Sequence, residues 1–171
     1  MNERATAGTS PAPPSDGRVR CIGFSIAAGL PPLALAPGTL AEVLLDYVEC
    51  RLPGAPASLH RLVALRGALL PVFDPRIWLG LAPATRTRIL AIGRGERAAA
   101  IVVDGEPAML ELADAAHDVP SPAALGAYLR PARDASGNPA WWFDHEAWFA
   151  VAARAPDSRN DWAHAAAEVN P

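Results

Sequence analysis

The sequence predicts a mostly β domain of ordinary size, and three observations carry that prediction. Apolar residues between positions 19 and 154 come in short bursts, and Gly and Pro separate the bursts. About half of the 171 residues are hydrophobic (51%), and 19% are charged. Short apolar runs bounded by turn-forming residues are typical of strands, and this composition is typical of a folded globular protein. We therefore expect residues 19–154 to form one well-cored domain, or two very small ones that share a core.

The clearest strand pair is a hairpin formed by residues 88–92 and 97–103. Its turn is the Gly-Arg-Gly-Glu stretch at residues 93–96, a composition that suits a reversal of the chain. A second pair is expected where residues 62–65 and 68–73 flank Arg66-Gly67. The remaining bursts predict strands at residues 21–26, 33–35, 109–112 and 140–143.

Three short helices are expected between the strands. Thr39 is a candidate N-cap followed by good helix formers, so residues 39–45 are predicted as a helix. Pro75 begins a helical turn that ends near Gly80. Asp144 is a candidate N-cap for an amphipathic helix that closes the domain at residues 144–153.

The two ends of the chain differ from the body. Residues 1–18 contain Ala, Pro, Ser, Thr and Gly with almost no large apolar side chain, so we expect a disordered tail. Residues 155–171 are predicted to be a second tail or a short helix. The helical alternative depends on Trp162, Ala165, Ala166 and Val169, which share one face at helical spacing.

Charge and cysteine content exclude several classes of function. The net charge is −3 and the arginines are scattered, whereas phosphate backbones need a basic face, so no nucleic-acid partner is expected. Cys21 and Cys50 lack the Cys-x-x-Cys spacing of zinc sites and form no disulfide framework. We expect both to be small buried apolar residues.

The apolar stretch at residues 21–36 superficially imitates a signal peptide, because Arg18 and Arg20 precede it. Gly29 and the Pro31-Pro32 pair interrupt it, however, and no apolar run reaches the ~18 residues of a membrane span. We expect a soluble, cytoplasmic protein with no direct membrane insertion.

A search for convergent polar groups finds no catalytic, cofactor or metal site. Asp144-His145-Glu146 is the densest ionisable cluster, but neighbours on a helix point in different directions. His117 lies in a polar segment where solvent exposure explains it. Gly93-Arg94-Gly95 leads into a strand and lacks the third glycine of a phosphate-binding loop. No enzymatic activity is therefore expected.

Two apolar segments contain isolated charges. The first, residues 62–74, reads LVALRGALLPVFD, and its Arg66 is either a solvated turn residue or a functional charge. The second, residues 99–105, reads AAIVVDG and predicts a buried strand that ends in a turn at Asp104-Gly105.

Together these segments resemble the CheW family of chemotaxis adaptors, whose sequences carry an N-L-R-G-x-x-x-P-V-x-D-L pattern and a later G-I-x-V-D-x-V strand. The first pattern corresponds to Ala64-Leu65-Arg66-Gly67 and Pro71-Val72-Phe73-Asp74-Pro75. The second corresponds to residues 100–105. Phe24-Ser25-Ile26 with residues 33–35 resembles the opening strand pair, and Glu42-Val43-Leu44 resembles the V-x-E-I segment. The resemblance runs from about residue 20 to residue 154.

The chain also departs from the family pattern. Ala64 replaces the asparagine, Arg61 replaces a glycine, and Pro75 replaces the leucine after the aspartate. The glycine-rich Y-L-x-G-x-G segment stands here as residues 128–133, Tyr-Leu-Arg-Pro-Ala-Arg. Trp141-Trp142 replaces an aliphatic strand. A specialised branch, such as the adaptors of pilus-motility signalling arrays, would accommodate these changes.

The resemblance implies an all-β fold of two packed five-stranded small barrels with a few short helices. It implies a cofactor-free adaptor in a two-component system, coupling methyl-accepting chemoreceptor tips to a CheA-type histidine kinase. The receptor-binding residues it implies are Leu65, Arg66, Gly67 and Glu42, whereas kinase-binding residues stay unassigned. One alternative is a divergent scaffold that does not bridge receptor and kinase. Another is a small-molecule sensor or hydrolase, which would need a polar pocket.

Overall fold

The computed structural model describes residues 17–53, 55, 59–82, 87–115 and 119–154. These residues form ten strands and two short α-helices, which confirms the all-β prediction. Two single 3-10 turns, Gly95–Arg97 and Gly126–Tyr128, lie between them. The elements are β1 (Val19–Ser25), β2 (Leu33–Ala34), β3 (Ala41–Leu44), β4 (Val48–Cys50), β5 (Leu59–Leu65), β6 (Ala68–Phe73), α1 (Pro75–Trp78), β7 (Thr87–Ile92), β8 (Ala99–Asp114), β9 (Leu129–Asp134), β10 (Pro139–Phe143) and α2 (His145–Ala152).

The long strand β8 is shared by both halves of the molecule. Its first half pairs with β7 and β6, and its second half pairs with β1 and β9. The expected turn at Asp104-Gly105 and the separate strand at 109–112 are therefore wrong. Asp104 pairs with Thr87 on one side and Ser25 on the other, and Gly105 bends the strand with a φ of +77°. Only glycine adopts that angle readily, so the strand bends without ending.

The second half of β8 belongs to a closed five-stranded barrel. The pairings run from β1 to β2, β10, β9, β8 and back to β1. The ring is therefore closed, although β2 pairs with only two residues of β1, Gly23 and Phe24. This ring is called the second barrel below.

The first half of β8 belongs to a curled row of strands, called the first barrel below. Its order is β3, β7, β8, β6, β5 and β4. Residues 45–47 join β3 to β4 along the chain, but no backbone pairing links the two strands within the part of the chain that the structure describes.

Three hydrophobic clusters follow from this arrangement. One fills the first barrel, with Val63 and Val72 among its members, and another fills the second barrel around Trp142. The third and largest packs between the barrels. Alternation along β8 explains the run AAIVV, because strand side chains point to opposite faces in turn. Ala99, Ile101 and Val103 enter the cluster between the barrels, whereas Ala100 and Val102 enter the first barrel.

The helix expected at residues 39–45 is wrong, because this segment forms strand β3. Its residues pair with β7 from Ala41 opposite Ile92 to Leu44 opposite Ile89. Val43 packs on the cluster between the barrels and Leu44 enters the first barrel, so both faces of the strand are used. Tertiary pairing thus overrides the local helix preference.

The two cysteines lie in different environments. Cys21 is buried in the second barrel as expected, and burial raises the pKa of its thiol to about 11. The expectation that Cys50 is buried is wrong, since it is exposed on the short edge strand β4. Few side chains of a strand are covered when only one neighbouring strand pairs with it.

Helix α2 confirms the predicted N-cap. The carboxylate of Asp144 accepts a hydrogen bond from the Ala147 N–H at 3.0 Å. The helix is fastened by Trp148 and Phe149, whose rings contact that of Phe73 at centroid distances of 5.9 and 5.6 Å. Trp142 does not take part in this contact, because it points into the second barrel.

The predictions for the two tails fall almost wholly outside the described residues. Residues 1–16 and 155–171 are not described, and neither is His117. At the start of the described chain, Arg18 donates a hydrogen bond to the backbone carbonyl of Ala135.

Candidate protein-binding site

The hairpin of β5 and β6 ends in a two-residue turn made by Arg66 and Gly67. Leu65 and Ala68 are paired on either side of it. Both turn residues have positive φ, 50° for Arg66 and 81° for Gly67, which is the pattern of a type I′ turn. Arg66 is the one non-glycine residue with positive φ among those described. The turn projects into solvent, and the Arg66 side chain is 74% exposed.

Arg66 meets a carboxylate from another part of the first barrel. Its Nη2 lies 2.7 Å from Oε2 of Glu42 on β3, and 24 residues separate the two along the chain. The structure therefore brings together all four residues that the family resemblance implicated. The Glu42 side chain is 38% exposed. An exposed ion pair contributes only about 0.2–1 kcal/mol to folding stability, so this pair has little effect on the stability of the fold.

The outer face of β4, β5 and β6 beside this turn is apolar. Val48, Ala64 and Leu69 lie opposite one another in one row across the three strands. Val48 is 75% exposed and Leu69 is 66% exposed. A second row consists of Cys50, Leu62 and Pro71. We call these six residues the β4–β6 outer face.

Sequence reasoning missed this face, although a signal was present. Residues 62–65 and 68–72 are apolar at every position, whereas a strand with one wet face normally alternates apolar and polar residues. The buried face takes Val63 and Leu70. Val72 and Leu65 also face the cluster in the first barrel, whereas Leu62, Ala64, Leu69 and Pro71 lie on the outer face. Val48 could not be placed there because β4 itself was not predicted.

The departure from the family pattern at Arg61 is paired with a charge on β4. Arg61 forms an ion pair with Glu49. The pair joins the edge strand β4 to β5, so the replacement of a glycine by arginine comes with a matching carboxylate.

The departures in the second barrel also form one arrangement. Trp142 donates a hydrogen bond from Nε1 to Oδ1 of Asp114 at 2.8 Å, and Arg130 forms an ion pair with the same carboxylate. The Arg130 guanidinium lies 5.7 Å from the centre of the Trp142 ring, which is cation–π distance. Small residues such as Ala132 and Ala140 line the same barrel, so the large ring fills their space.

A cavity of about 760 Å³ opens beside this arrangement, between β9 and the start of α2. Asp114, Arg130, Tyr128 and His145 are among the residues that line it. The charges of Asp114 and Arg130 are paired with each other. Burial lowers the pKa of His145. The negative charges of Glu146 and Asp144 act in the other direction, but burial is the larger effect. These polar side chains make the cavity a candidate for the polar pocket that a sensor or hydrolase would need.

Within residues 17–154, apart from the gaps stated above, no three His, Cys, Asp or Glu side chains are grouped to hold a metal ion. In the same part of the chain, no helix has the length and apolar character needed to cross a bilayer.

Comparison with known proteins agrees with this architecture. The family model for the CheW-like domain matches residues 24–152 of the sequence. The chain therefore belongs to that family. Among solved structures, it is similar to the scaffolding protein TtCheW from Thermoanaerobacter tengcongensis, with a TM-score of 0.56 and 18% sequence identity. The match covers 72% of this chain and 87% of that chain, and at this identity it shows a shared fold. No curated protein matches the sequence.

Proposed function

We propose that this chain is a non-enzymatic cytoplasmic adaptor that couples the tips of methyl-accepting chemoreceptors to a CheA-type histidine kinase. The observation that carries the proposal is the contact between Arg66 and Glu42 at the tip of the β5–β6 hairpin. It unites the residues that the family resemblance assigns to receptor binding. Membership of the CheW-like family supports an adaptor role.

On the receptor side, Arg66 supplies the polar contact. Its guanidinium is mostly exposed, so a carboxylate or carbonyl group on a receptor helix can reach it. Its aliphatic stem packs against apolar atoms while the charged head stays polar. Glu42 holds the guanidinium in place in the unbound adaptor, which reduces the entropy lost on binding.

On the kinase side, an adaptor needs a second surface. The β4–β6 outer face is apolar, and soluble monomers rarely expose contiguous apolar patches unless a partner covers them. Strand β4 has β5 as its paired neighbour, so its other edge also offers backbone hydrogen bonds. We assign the kinase to this face. Holding both partners together raises the effective concentration of each at the other.

A reconstitution with three purified components tests the bridging role. The full chain is mixed with the histidine kinase and with a receptor fragment that contains the cytoplasmic tip, and complexes are separated by size-exclusion chromatography. A complex of all three that requires the adaptor supports the proposal. If kinase and receptor each fail to bind the chain, the adaptor role is wrong.

The second candidate is a divergent scaffold that does not join receptor and kinase. The departures at Arg61 and Ala64 favour it, because both residues lie on β5, the strand that ends at Leu65 of the proposed receptor site. In the reconstitution, this alternative predicts that only one of the two partners binds. Ala64 is on the β4–β6 outer face, so loss of the kinase alone would implicate that substitution.

A further inference from the structure

The cavity of about 760 Å³ lies at one mouth of the second barrel. Strand pairing brings five strand ends to this side, namely the start of β1, the end of β2, the end of β8, the start of β9 and the end of β10. The lining follows this rim, from Val19 on β1 and Asp114 on β8 to Arg130 on β9 and Trp142 on β10. The mouths of β-barrels are frequent places for small-ligand sites, and such sites have volumes of roughly 300–1,000 Å³.

One cation of the chain itself already lies in this mouth, the Arg130 guanidinium. It forms an ion pair with the carboxylate of Asp114, and its Cζ lies 5.7 Å from the centre of the Trp142 ring. A carboxylate and an aromatic face are the two kinds of group that attract a positive charge most strongly. This contact shows which groups at the barrel mouth attract a cation.

The other side of the cavity has the same kinds of group. Asp144 caps α2 and Glu146 lies in its first turn, and both are exposed. The backbone N–H of Asp144 donates to the carbonyl of Tyr128 at 2.9 Å, so the tyrosine is their neighbour. The Oδ1 atom of Asp144 accepts the cap hydrogen bond. In the described part of the chain, neither carboxylate forms an ion pair with a basic side chain.

The lining as a whole carries a negative charge. Its described residues include three carboxylates, those of Asp114, Asp144 and Glu146, and one guanidinium, that of Arg130. His145 also lines the cavity, and burial lowers its pKa below the ordinary value of about 6.5, so it is neutral at about pH 7.5. A concave site with negative walls concentrates cations and repels anions.

We propose that this cavity binds a small organic cation, a primary ammonium group on an apolar body. The three N–H donors of an ammonium group match the acceptor oxygens of Asp144 and Glu146, and such bonds are strengthened by charge. The apolar body lies against Tyr128 and Leu129 on the rim of the barrel. The receptor and kinase sites proposed above are on the first barrel, so this site is separate from them.

An NMR chemical-shift titration of the full chain at about pH 7.5 tests the proposal with three probes of similar size. Phenethylamine is protonated at this pH, as alkyl amines are, 2-phenylethanol is neutral and phenylacetate is an anion. We expect phenethylamine to bind about tenfold more tightly than the alcohol, with shifts at residues 128–130 and 144–146, and phenylacetate to bind most weakly. Equal affinity for the three probes, or no binding of phenethylamine, would overturn the proposal.

A charge-removing double variant tests the two carboxylates. Asp144→Asn with Glu146→Gln removes both charges, and asparagine retains the N-cap of α2. We expect phenethylamine affinity to fall by about tenfold. Glu106→Gln with Glu111→Gln is the matched control, because these side chains are 63% and 51% exposed and do not line the cavity. An equal loss in both double variants would indicate a general effect of net charge and would contradict the site.

Arg130→Gln should change the affinity in the opposite direction. It removes the cation already present, leaves Asp114 without its ion-pair partner and uncovers the Trp142 ring. We expect phenethylamine affinity to rise by about threefold, in keeping with the strength of an exposed cation–π contact. A loss of affinity in this variant would contradict cation binding at the barrel mouth. These measurements use neither receptor nor kinase, so their failure would leave the proposed adaptor function untouched.

Discussion

Arg66 and Glu42 hold their charged groups 2.7 Å apart, although they lie on different parts of the first barrel. Glu42 is on β3, at one end of the row of strands, and Arg66 is at the turn between β5 and β6 near the other end. The ion pair therefore joins β3 to this hairpin by side chains, with no backbone ladder between β3 and β4 in the described part of the chain.

Trp142 should be important for stability, because its ring fills the second barrel and is 7% exposed. We predict that Trp142→Ala lowers the free energy of unfolding by about 3–5 kcal/mol, through lost burial and the cavity left behind. Urea denaturation measures this. Trp142→Phe keeps most of the ring but loses the hydrogen bond to Asp114, so it should cost less. An unchanged midpoint for Trp142→Ala would show that the ring is not buried in solution.

Asp74 and Arg76 form a buried ion pair at the start of α1. Arg76 Nε lies 2.9 Å from Oδ1 and Nη2 lies 2.6 Å from Oδ2, with the two residues 6% and 3% exposed. Nη1 of Arg76 has no hydrogen-bond partner among the described residues. We predict that Asp74→Ala costs about 3–5 kcal/mol, because it leaves a buried charge without its partner.

A double variant separates the cost of the orphaned charge from the cost of lost packing. Asp74→Ser with Arg76→Met removes both charges and retains an N-cap for α1. Its free energy of unfolding should lie closer to that of the unmodified chain than that of Asp74→Ala does. A double variant as unstable as the single one would argue against the buried-charge explanation.

His145 should make stability depend on pH. Burial is the main cause that lowers its pKa in the folded chain below the ordinary value of about 6.5. The unfolded chain therefore binds a proton more readily, so stability is complete above about pH 6.5 and declines as the pH falls toward the folded pKa. We predict that His145→Gln reduces the loss of melting temperature between pH 7.5 and pH 5.5. Equal losses in both chains would contradict the role of His145.

Leu69 provides a test of the β4–β6 outer face, since it is 66% exposed. We predict that Leu69→Glu weakens kinase binding at least tenfold, about 1.4 kcal/mol, and leaves the melting temperature unchanged. Val151→Glu is the matched control, because Val151 is also an exposed apolar residue, 43% accessible, but lies on α2. Equal kinase affinity in the two variants would move the kinase to another surface.

The parts of the fold that were predicted correctly have signals within a few residues. The hairpin of β7 and β8 has its Gly-rich turn, and α2 has the Asp144 cap. Strand β3 was predicted as a helix because its state is set by pairing with β7, far along the chain. Strand β9 was missed because Pro131 and its arginines weaken the apolar pattern, although it pairs with β10 and β8.

In the candidate site, too, some features have a local sequence signal and others depend on residues far apart in the chain. The turn at Arg66-Gly67 was visible as a turn, and the structure places both residues at positive φ. Its partner Glu42 came only from the family resemblance, because no local pattern links residues on β3 and the β5–β6 turn. The outer face depends on register across β4, β5 and β6, which a single strand's sequence does not contain.

The affinity of Arg66→Ala for a receptor fragment containing the cytoplasmic tip tests the central claim most directly. The side chain is 74% exposed, so its removal should leave the melting curve unchanged. We predict at least a tenfold loss of receptor affinity, about 1.4 kcal/mol, with unchanged kinase affinity. Arg88→Ala is the control, since Arg88 is also exposed and paired with a glutamate, Glu106. Receptor affinity equal to that of the unmodified chain would contradict the adaptor site proposed at this hairpin.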